Sequence, residues 1–225
     1  MTRILCLAPH TDDAELGAGG TLARFVEWGG GAHVYVAAFS PCRQSLRESG
    51  LPEDALEKEF HASMDLLGVH GRAIYDFPVR EFPTHRQEIL EEMVRLRKDT
   101  KPDLVLIPSP GDVHQDHHVI HQEALRCFKC ANVWCYEQPW NQKTTTCTMY
   151  MPLTEAHLQK KWAAIAQYKS QMTLKRSYCT LEFVAGLARV RGVQAGCAFA
   201  EAFEAVRHVW APSPEVQKIG SEGRL

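Results

Sequence analysis

Two short segments of this 225-residue chain concentrate the residue types that bind metals and transfer protons. The first reads Pro-His-Thr-Asp-Asp-Ala-Glu over residues 9–15, and the second reads His-Gln-Asp-His over residues 114–117. Two histidines and one carboxylate form a common catalytic zinc set, in which an open position holds water. A further, unbound carboxylate can take a proton from that water. The two segments together indicate metal-assisted hydrolysis.

The spacing within each segment suits a shared site. His10 and Asp13 are three residues apart at the start of a predicted helix, as are His114 and His117, so both members of a pair can point the same way. The adjacent acids Asp12 and Asp13 can supply one metal ligand and one base. Either segment alone is typical of a capped helix or a surface charge cluster, and the two acids could merely stabilise the first helical turn. The presence of both segments favours catalysis.

Strands and helices alternate along most of the chain, which predicts an α/β fold with a Rossmann-like, mainly parallel sheet and helices on both faces. We expect a loop between the second strand and the second helix. The predicted strands cover residues 3–8, 33–39, 73–77, 103–107, 133–136 and 148–151. The predicted helices cover residues 13–28, 53–67, 86–101, 113–130, 155–168 and 181–189, and the predicted loop covers residues 40–52.

We predict one domain, with a catalytic core over residues 1–137, a C-terminal elaboration over 138–211 and a weakly ordered tail over 212–225. In a doubly wound sheet, ligands bind beyond the carboxyl ends of the strands, where the strand order reverses. The first segment follows the first strand and the second follows the fourth. Because the common order 3-2-1-4 makes these two strands neighbours, the segments are expected to face each other across one crevice.

Composition narrows the class of protein. The formal net charge of −2 opposes a nucleic-acid-binding surface. No apolar stretch approaches the roughly 20 residues of a membrane span, and no secretory signal is visible. The eight cysteines show no regular framework, so we expect a cytoplasmic protein with free thiols. Cys127 and Cys130 could suggest a metal knuckle or a redox pair, but they lie on a predicted helix and lack a second cysteine pair.

The two segments together resemble the paired motifs of the LmbE/PIG-L family of zinc-dependent de-N-acetylases, and the resemblance covers about residues 1–130. That family carries His-x-Asp-Asp-x-Glu after its first strand and His-x-Asp-His after its fourth. The resemblance implies that His10, Asp13 and His117 bind Zn²⁺, although Fe²⁺ or another divalent ion could occupy such a set. It also implies a small-molecule substrate, an N-acetylglucosamine-type amino-sugar derivative that loses acetate, and a possible homo-oligomer.

The resemblance extends to the residues that transfer protons. Asp12 matches the base that activates water, and His114 matches the residue that stabilises the oxyanion or protonates the leaving amine. Asp116 matches the acid that orients His114, and Glu15 matches a position that supports the site. His121 follows one helical turn after the second motif and is interpreted as structural.

Substrate contacts are less clearly marked in the sequence. Arg47 or Arg43 could correspond to an arginine that binds sugar in some members, and Asp76 resembles a position that contacts sugar hydroxyls. An equally good interpretation is that Asp76 is a structural aspartate in a turn. Asp112 stands where some members carry a tyrosine with an oxyanion role, so that role is expected of the metal, His114 or another residue.

The C-terminal third resembles a subgroup of the same family, with polar residues at 170, 171, 191 and 201 that could line the crevice or form an internal network. Trp134, Tyr136 and Trp140 could stack on a sugar ring, but core packing is the preferred interpretation. Alternative functions are hydrolysis of another amide or an ester, non-catalytic sugar binding, and an iron-dependent oxygenase. The last is opposed by the α/β pattern, since such facial triads occur on all-β folds.

Overall fold

The computed structural model describes residues 1–209, and within them seven strands form one sheet. The strands are β1 (Thr2–His10), β2 (Ala32–Ser40), β3 (Gly71–Ile74), β4 (Leu104–Pro108), β5 (Asn132–Tyr136), β6 (Met149–Leu153) and β7 (Phe199–Arg207). Their order is β3-β2-β1-β4-β5-β7-β6. The first five strands pair in parallel, whereas β7 pairs antiparallel with both β5 and β6.

Helices cover both faces of the sheet because the side chains of β1 alternate between two cores. Ile4, Cys6 and Ala8 pack with one cluster, and Leu5 and Leu7 pack with the other. None of the helices in this described part is long and apolar enough to cross a membrane. The helices are α1 (Asp13–Glu27), α2 (Arg43–Glu48), α3 (Ala55–Leu67), a 3₁₀ turn (Phe82–Thr84), α4 (Arg86–Thr100), α5 (Gln115–Cys127), α6 (Glu155–Ile165), α7 (Lys169–Thr173) and α8 (Leu181–Ala195).

The predicted fold class is confirmed, and the order of the first four strands is the expected 3-2-1-4. The first segment begins at the carboxyl end of β1, and the second enters α5 after β4, so neighbouring strands bring them together. The predicted tail over residues 212–225 lies outside the described residues. The division into a catalytic core and a C-terminal elaboration stays a prediction, although β7 returns from the C-terminal third to pair with β5 in the same sheet.

Several element predictions differ from the structure in position or kind. The predicted loop over residues 40–52 contains the short helix α2. The third strand ends at Ile74 instead of residue 77, where the chain leaves the edge of the sheet. Strand β7 was not predicted at all, because its Ala- and Glu-rich sequence lacks the alternation that indicates a strand.

Helix α1 is interrupted at Ala18, whose backbone angles (φ −141°, ψ 15°) are not helical. At this break the carboxylate of Glu201 accepts hydrogen bonds from the backbone N–H groups of Gly20 and Thr21, at 2.9 and 2.7 Å. Lys161 contacts the same carboxylate at 2.6 Å. Residues from α6 and β7 thus stabilise a discontinuity in the helix that begins at the first motif.

Candidate metal centre and active site

Three donor atoms from the two motifs lie at nearly equal distances from one another. Asp13 Oδ2 is 3.1 Å from His10 Nδ1 and 3.2 Å from His117 Nε2, and the two nitrogens are 3.3 Å apart. Ligands at about 2.0–2.1 Å from a tetrahedral zinc ion stand about 3.4 Å from each other. All three side chains are buried. Both the donor types and their spacing therefore fit a divalent cation.

His114 lies beside this set. One ring nitrogen of His114, one of His10 and one of His117 all lie within 4.8 Å of one another. Asp13 Oδ2 lies closer to the other two donors, so the tighter set contains Asp13. The Nδ1 atom of His114 accepts the backbone N–H of Asp116 at 3.2 Å, which leaves Nε2 as its free ring nitrogen.

Buried carboxylates hold the second ring nitrogen of both central histidines. Asp112 Oδ2 is 2.7 Å from His117 Nδ1, and Asp116 Oδ2 is 3.1 Å from His10 Nε2. Such pairs fix the ring orientation and tautomer of a metal-binding histidine. Burial lowers the pKa values of both histidines, but the carboxylates outweigh it and raise them to about 9 for His10 and about 10 for His117.

The expectation that the Asp116 side chain orients His114 is not met. Its carboxylate accepts the backbone N–H of Arg80 at 2.7 Å and contacts His10, so His114 receives only the backbone N–H of Asp116. The reason is that His114 is the N-cap residue of α5, with extended backbone angles and its ring turned back onto the first helical turn.

Gln138, which follows β5, holds the metal-binding candidate Asp13. Its Nε2 donates to Asp13 Oδ1 at 2.8 Å, leaving Oδ2 beside the two histidines. Although burial opposes the charged form, the neighbouring charge of His117 and the hydrogen bond from His10 bring the pKa of Asp13 well below its usual range. No motif marks Gln138 in the sequence, so sequence reasoning missed it.

Asp12 lines the same cavity, which has a volume of about 250 Å³. Its side chain makes no capping hydrogen bond to α1, which argues against the view that it merely stabilises the helix start. Burial and then repulsion from Asp13 raise the pKa of Asp12 to about 6. A half-buried carboxylate beside the three donor atoms is placed to exchange a proton with a water there.

Both motifs lie within the part of the chain that matches a known protein family. The family model described as "PIG-L: GlcNAc-PI de-N-acetylase" matches residues 5–128, more than half of the chain and both motifs. The chain belongs to the PIG-L family. The diacetylchitobiose deacetylase of Thermococcus kodakarensis is 29% identical over 120 residues, which are 51% of this chain and 45% of that relative. The chain thus matches less than half of the length of that relative.

Solved structures share the fold of this PIG-L family protein. The N,N'-diacetylchitobiose deacetylase of Pyrococcus horikoshii superposes with a TM-score of 0.76 at 20% identity, over 96% of this chain and 88% of that one. GalB, the 4-carboxy-2-hydroxymuconate hydratase of Pseudomonas putida KT2440, gives a TM-score of 0.75 at 22% identity, over 95% and 99% of the two chains. At these identities the likeness concerns the fold alone.

Arg47 and Asp76, the candidate substrate-binding residues, do not line the cavity of this PIG-L family protein. Arg47 pairs with Glu53 at 2.9 Å, and Asp76 pairs with Arg43 at 3.1 Å, both in exposed positions. The side of α2 that faces the cavity carries smaller, uncharged residues instead. Beyond the metal-binding candidates, the cavity is lined by Asp12, Leu16, Cys42, Ser45, Leu46, Ser49, Leu51, Leu56, Val79, Arg80, His114, Gln138, Trp140, Asn141, Gln171, Leu174, Arg176 and Tyr178.

The polar residues of the C-terminal third mostly form internal contacts. Ser170 bonds to Glu59, and Arg191 pairs with Glu137. Of the four positions, Gln171 alone lines the cavity. Two of the three aromatic candidates lie in the hydrophobic core, whereas the third, Trp140, reaches the cavity.

Glu15, the last residue of the first motif, is fully buried between other elements. Its Oε1 lies 2.7 Å from the hydroxyl of Tyr168 and also contacts that of Ser63, and Tyr168 lies 2.6 Å from the carbonyl oxygen of Thr11. Burial raises the pKa of Glu15 to about 8. Glu15 thus ties the motif to α3 and to Tyr168, the residue that precedes α7. His121, whose Nδ1 is 2.9 Å from the carbonyl oxygen of Pro108, likewise bonds to the backbone.

Proposed function

We propose that this PIG-L family protein is a zinc-dependent N-deacetylase that releases acetate from an N-acetylglucosamine-type amino sugar. The observation that carries the proposal is the meeting of His10 Nδ1, Asp13 Oδ2 and His117 Nε2 within 3.3 Å of one another. The chitobiose deacetylases among the similar proteins support the substrate class. Iron(II) or another divalent ion is compatible with the same donors.

A bound divalent cation supplies a Lewis acid for the acyl oxygen and lowers the pKa of water. In the proposed reaction, Asp12 takes a proton from the attacking water while the oxygen of that water adds to the carbonyl carbon of the acetamide. The C–N bond then breaks, and Asp12 can hand the same proton to the departing amine, yielding acetate and a free amino sugar. Asp112, Asp116 and Gln138 keep the donor residues oriented throughout.

His114 is assigned to the oxyanion that forms on the acyl oxygen. Because its Nδ1 accepts the backbone N–H of Asp116, the proton of the neutral ring belongs on Nε2, where it can be donated to a ligand. A hydrogen-bond donor held in place before the reaction stabilises developing charge without reorganisation. This arrangement favours the oxyanion role over that of proton donor to the amine.

The test is acetate release by purified, metal-analysed protein from a panel of N-acetylated sugars, sugar nucleotides and glycosides. Asp12→Asn should lower kcat by about 10²–10⁴-fold, with fold and metal content retained. Asp99→Asn, an exposed acid on α4, serves as the matched control and should leave the rate unchanged. Acetate release by Asp12→Asn at the wild-type rate would remove the base assignment.

The fold alone does not fix the reaction, because GalB is a hydratase with a similar fold. The same metal-loaded protein is therefore assayed on acetyl esters and on unsaturated carboxylic acids. Turnover of these with no acetate from any N-acetyl compound would replace the deacetylase proposal. Sugar binding without turnover would indicate a non-catalytic member of the family.

A cytoplasmic location is part of the proposal, since all eight cysteines are free and free thiols persist in a reducing compartment. Fractionation of cells that produce the tagged full chain tests it. A homo-oligomer stays a prediction, which light scattering of the purified protein checks.

A further inference from the structure

One cation in the wall of the cavity has no carboxylate partner. Arg176 lines the cavity together with Asp12 and the donor residues, and within residues 1–209 no acid side chain forms a salt bridge with it. The other lining arginine, Arg80, differs in this respect because its guanidinium pairs with Glu48 at 2.8 Å. Arg176 is therefore the arginine of the cavity wall whose charge remains available to a ligand.

Aromatic side chains hold the Arg176 guanidinium in place. Its Nη1 donates to the hydroxyl of Tyr178 at 2.7 Å, and the guanidinium carbon lies 5.8 Å from the centre of the same ring. Tyr178 stacks on Trp140 with ring centres 4.1 Å apart and planes 6° apart. Since an arginine side chain loses about 2 kcal/mol of rotamer entropy when it is fixed, this support reduces the cost of binding a ligand.

The charges that line the cavity also favour an anion. Asp12 and Asp13 are the acids in the described lining, and Asp12 attracts Arg176 although the two side chains form no salt bridge. A divalent cation on the donor set would balance the two carboxylate charges. Arg80 is balanced by Glu48. The positive charge of Arg176 then remains unbalanced, and it lies next to the flat surface formed by the rings of Tyr178 and Trp140.

We propose that the substrate is an N-acylated amino sugar that carries an anionic group, a phosphate ester or a carboxylate, and that Arg176 binds this group. This inference rests on the proposed deacetylase function and narrows its substrate class. The guanidinium fork suits both oxyanions, because it can donate two parallel hydrogen bonds to either. Arg176 is thus a specificity-determining residue, distinct from the groups that transfer protons.

The experiment compares Arg176→Gln with Arg47→Gln, which removes an exposed arginine that pairs with Glu53 outside the cavity. Acetate release is measured from N-acetylglucosamine 1-phosphate and from neutral methyl N-acetylglucosaminide. Arg176→Gln should lower kcat/KM for the phosphate about 10- to 100-fold, mainly through KM, and change the neutral substrate less than twofold. Arg47→Gln should change neither. N-acetylmuramic acid supplies the carboxylate arm and shows which of the two anions is preferred.

Calorimetric binding of the same three sugars to the metal-loaded variants gives a readout that does not need turnover. Weaker binding of an anionic sugar to Arg176→Gln, with unchanged binding of the neutral one, supports the inference even where no acetate appears; in that case the deacetylase proposal fails alone. An equal loss of kcat for neutral and anionic substrates would mean that Arg176 acts through Asp12. That result would overturn the inference, and so would equal binding of charged and neutral sugars by the wild-type protein. In either case, acetate release would leave the proposed deacetylase function standing.

Discussion

Each residue of the tight donor set is held by a second, buried side chain. Carboxylates contact the outer ring nitrogen of both histidines, and an amide holds the outer oxygen of Asp13. Because the second atom of each group is already engaged, the atoms that face one another have little freedom to rotate. The supporting side chains are Asp112, Asp116 and Gln138.

Gln138→Ala should lower the affinity for zinc about 10- to 100-fold, since loss of a residue that orients a metal ligand has effects of this size. Affinity is measured by competition with a chromophoric chelator, and circular dichroism checks the fold. Gln87→Ala is the matched control, because Gln87 is exposed on α4 and bonds only to Glu91. Equal affinities of the two variants would show that Gln138 does not position Asp13.

The meeting of the two motifs could be predicted because it depends on strand order and on spacing within a helix turn, which are local or fold-level properties. The side-chain partners that loops bring together could not be predicted from the sequence. Arg47 and Asp76 are occupied by Glu53 and Arg43, and nothing in the sequence separates an arginine with such a partner from a free one. Gln138 was missed for the same reason, since its contact joins residues 125 positions apart.

The sequence did not predict two elements, helix α2 and strand β7, because both form through tertiary contacts. Helix α2 is six residues long, and a helix this short is not stable by itself. It forms where Leu46 is buried against the neighbouring core. Strand β7 contains alanine and glutamate, which favour helices in isolation, but it is paired on both sides and completes the sheet.

The break in α1 offers a test at the scale of an element. Lys161 and Glu201 have side chains only 7% and 6% exposed, and together they bond to backbone groups on both sides of the break. Lys161→Met leaves the Glu201 carboxylate buried without its cation, which should lower the free energy of unfolding by about 3–5 kcal/mol. Urea titration measures this change. The double variant Lys161→Met/Glu201→Gln should recover part of it.

The control for this prediction breaks an exposed ion pair. Arg72→Met removes the partner of Asp65, which is 68% exposed, and should lower the free energy of unfolding by less than about 1 kcal/mol. If Lys161→Met costs no more than Arg72→Met, the buried pair does not stabilise the break in α1.

At the scale of the whole molecule, one end of the sheet collects an unusual density of negative charge. Asp13, Asp112 and Asp116 are buried there, and Asp12 lies beside them. Burying carboxylates is costly unless positive charge accompanies them. The mainly parallel sheet creates this density because it brings the carboxyl ends of its central strands to one edge. We therefore expect the stability of the fold to depend on a cation at this edge.

Metal removal should lower the melting temperature. A ligand at 100 times its dissociation constant stabilises the folded state by about 2.7 kcal/mol, which for a chain of this size corresponds to roughly 5–10 °C. Scanning calorimetry with zinc and with chelator measures the difference. Two adjacent histidines of α5 supply matched variants, because His117 is buried among the donor atoms and His118 is exposed. His118→Ala should keep the zinc-dependent shift and His117→Ala should lose it, whereas the same shift in both would place the metal elsewhere.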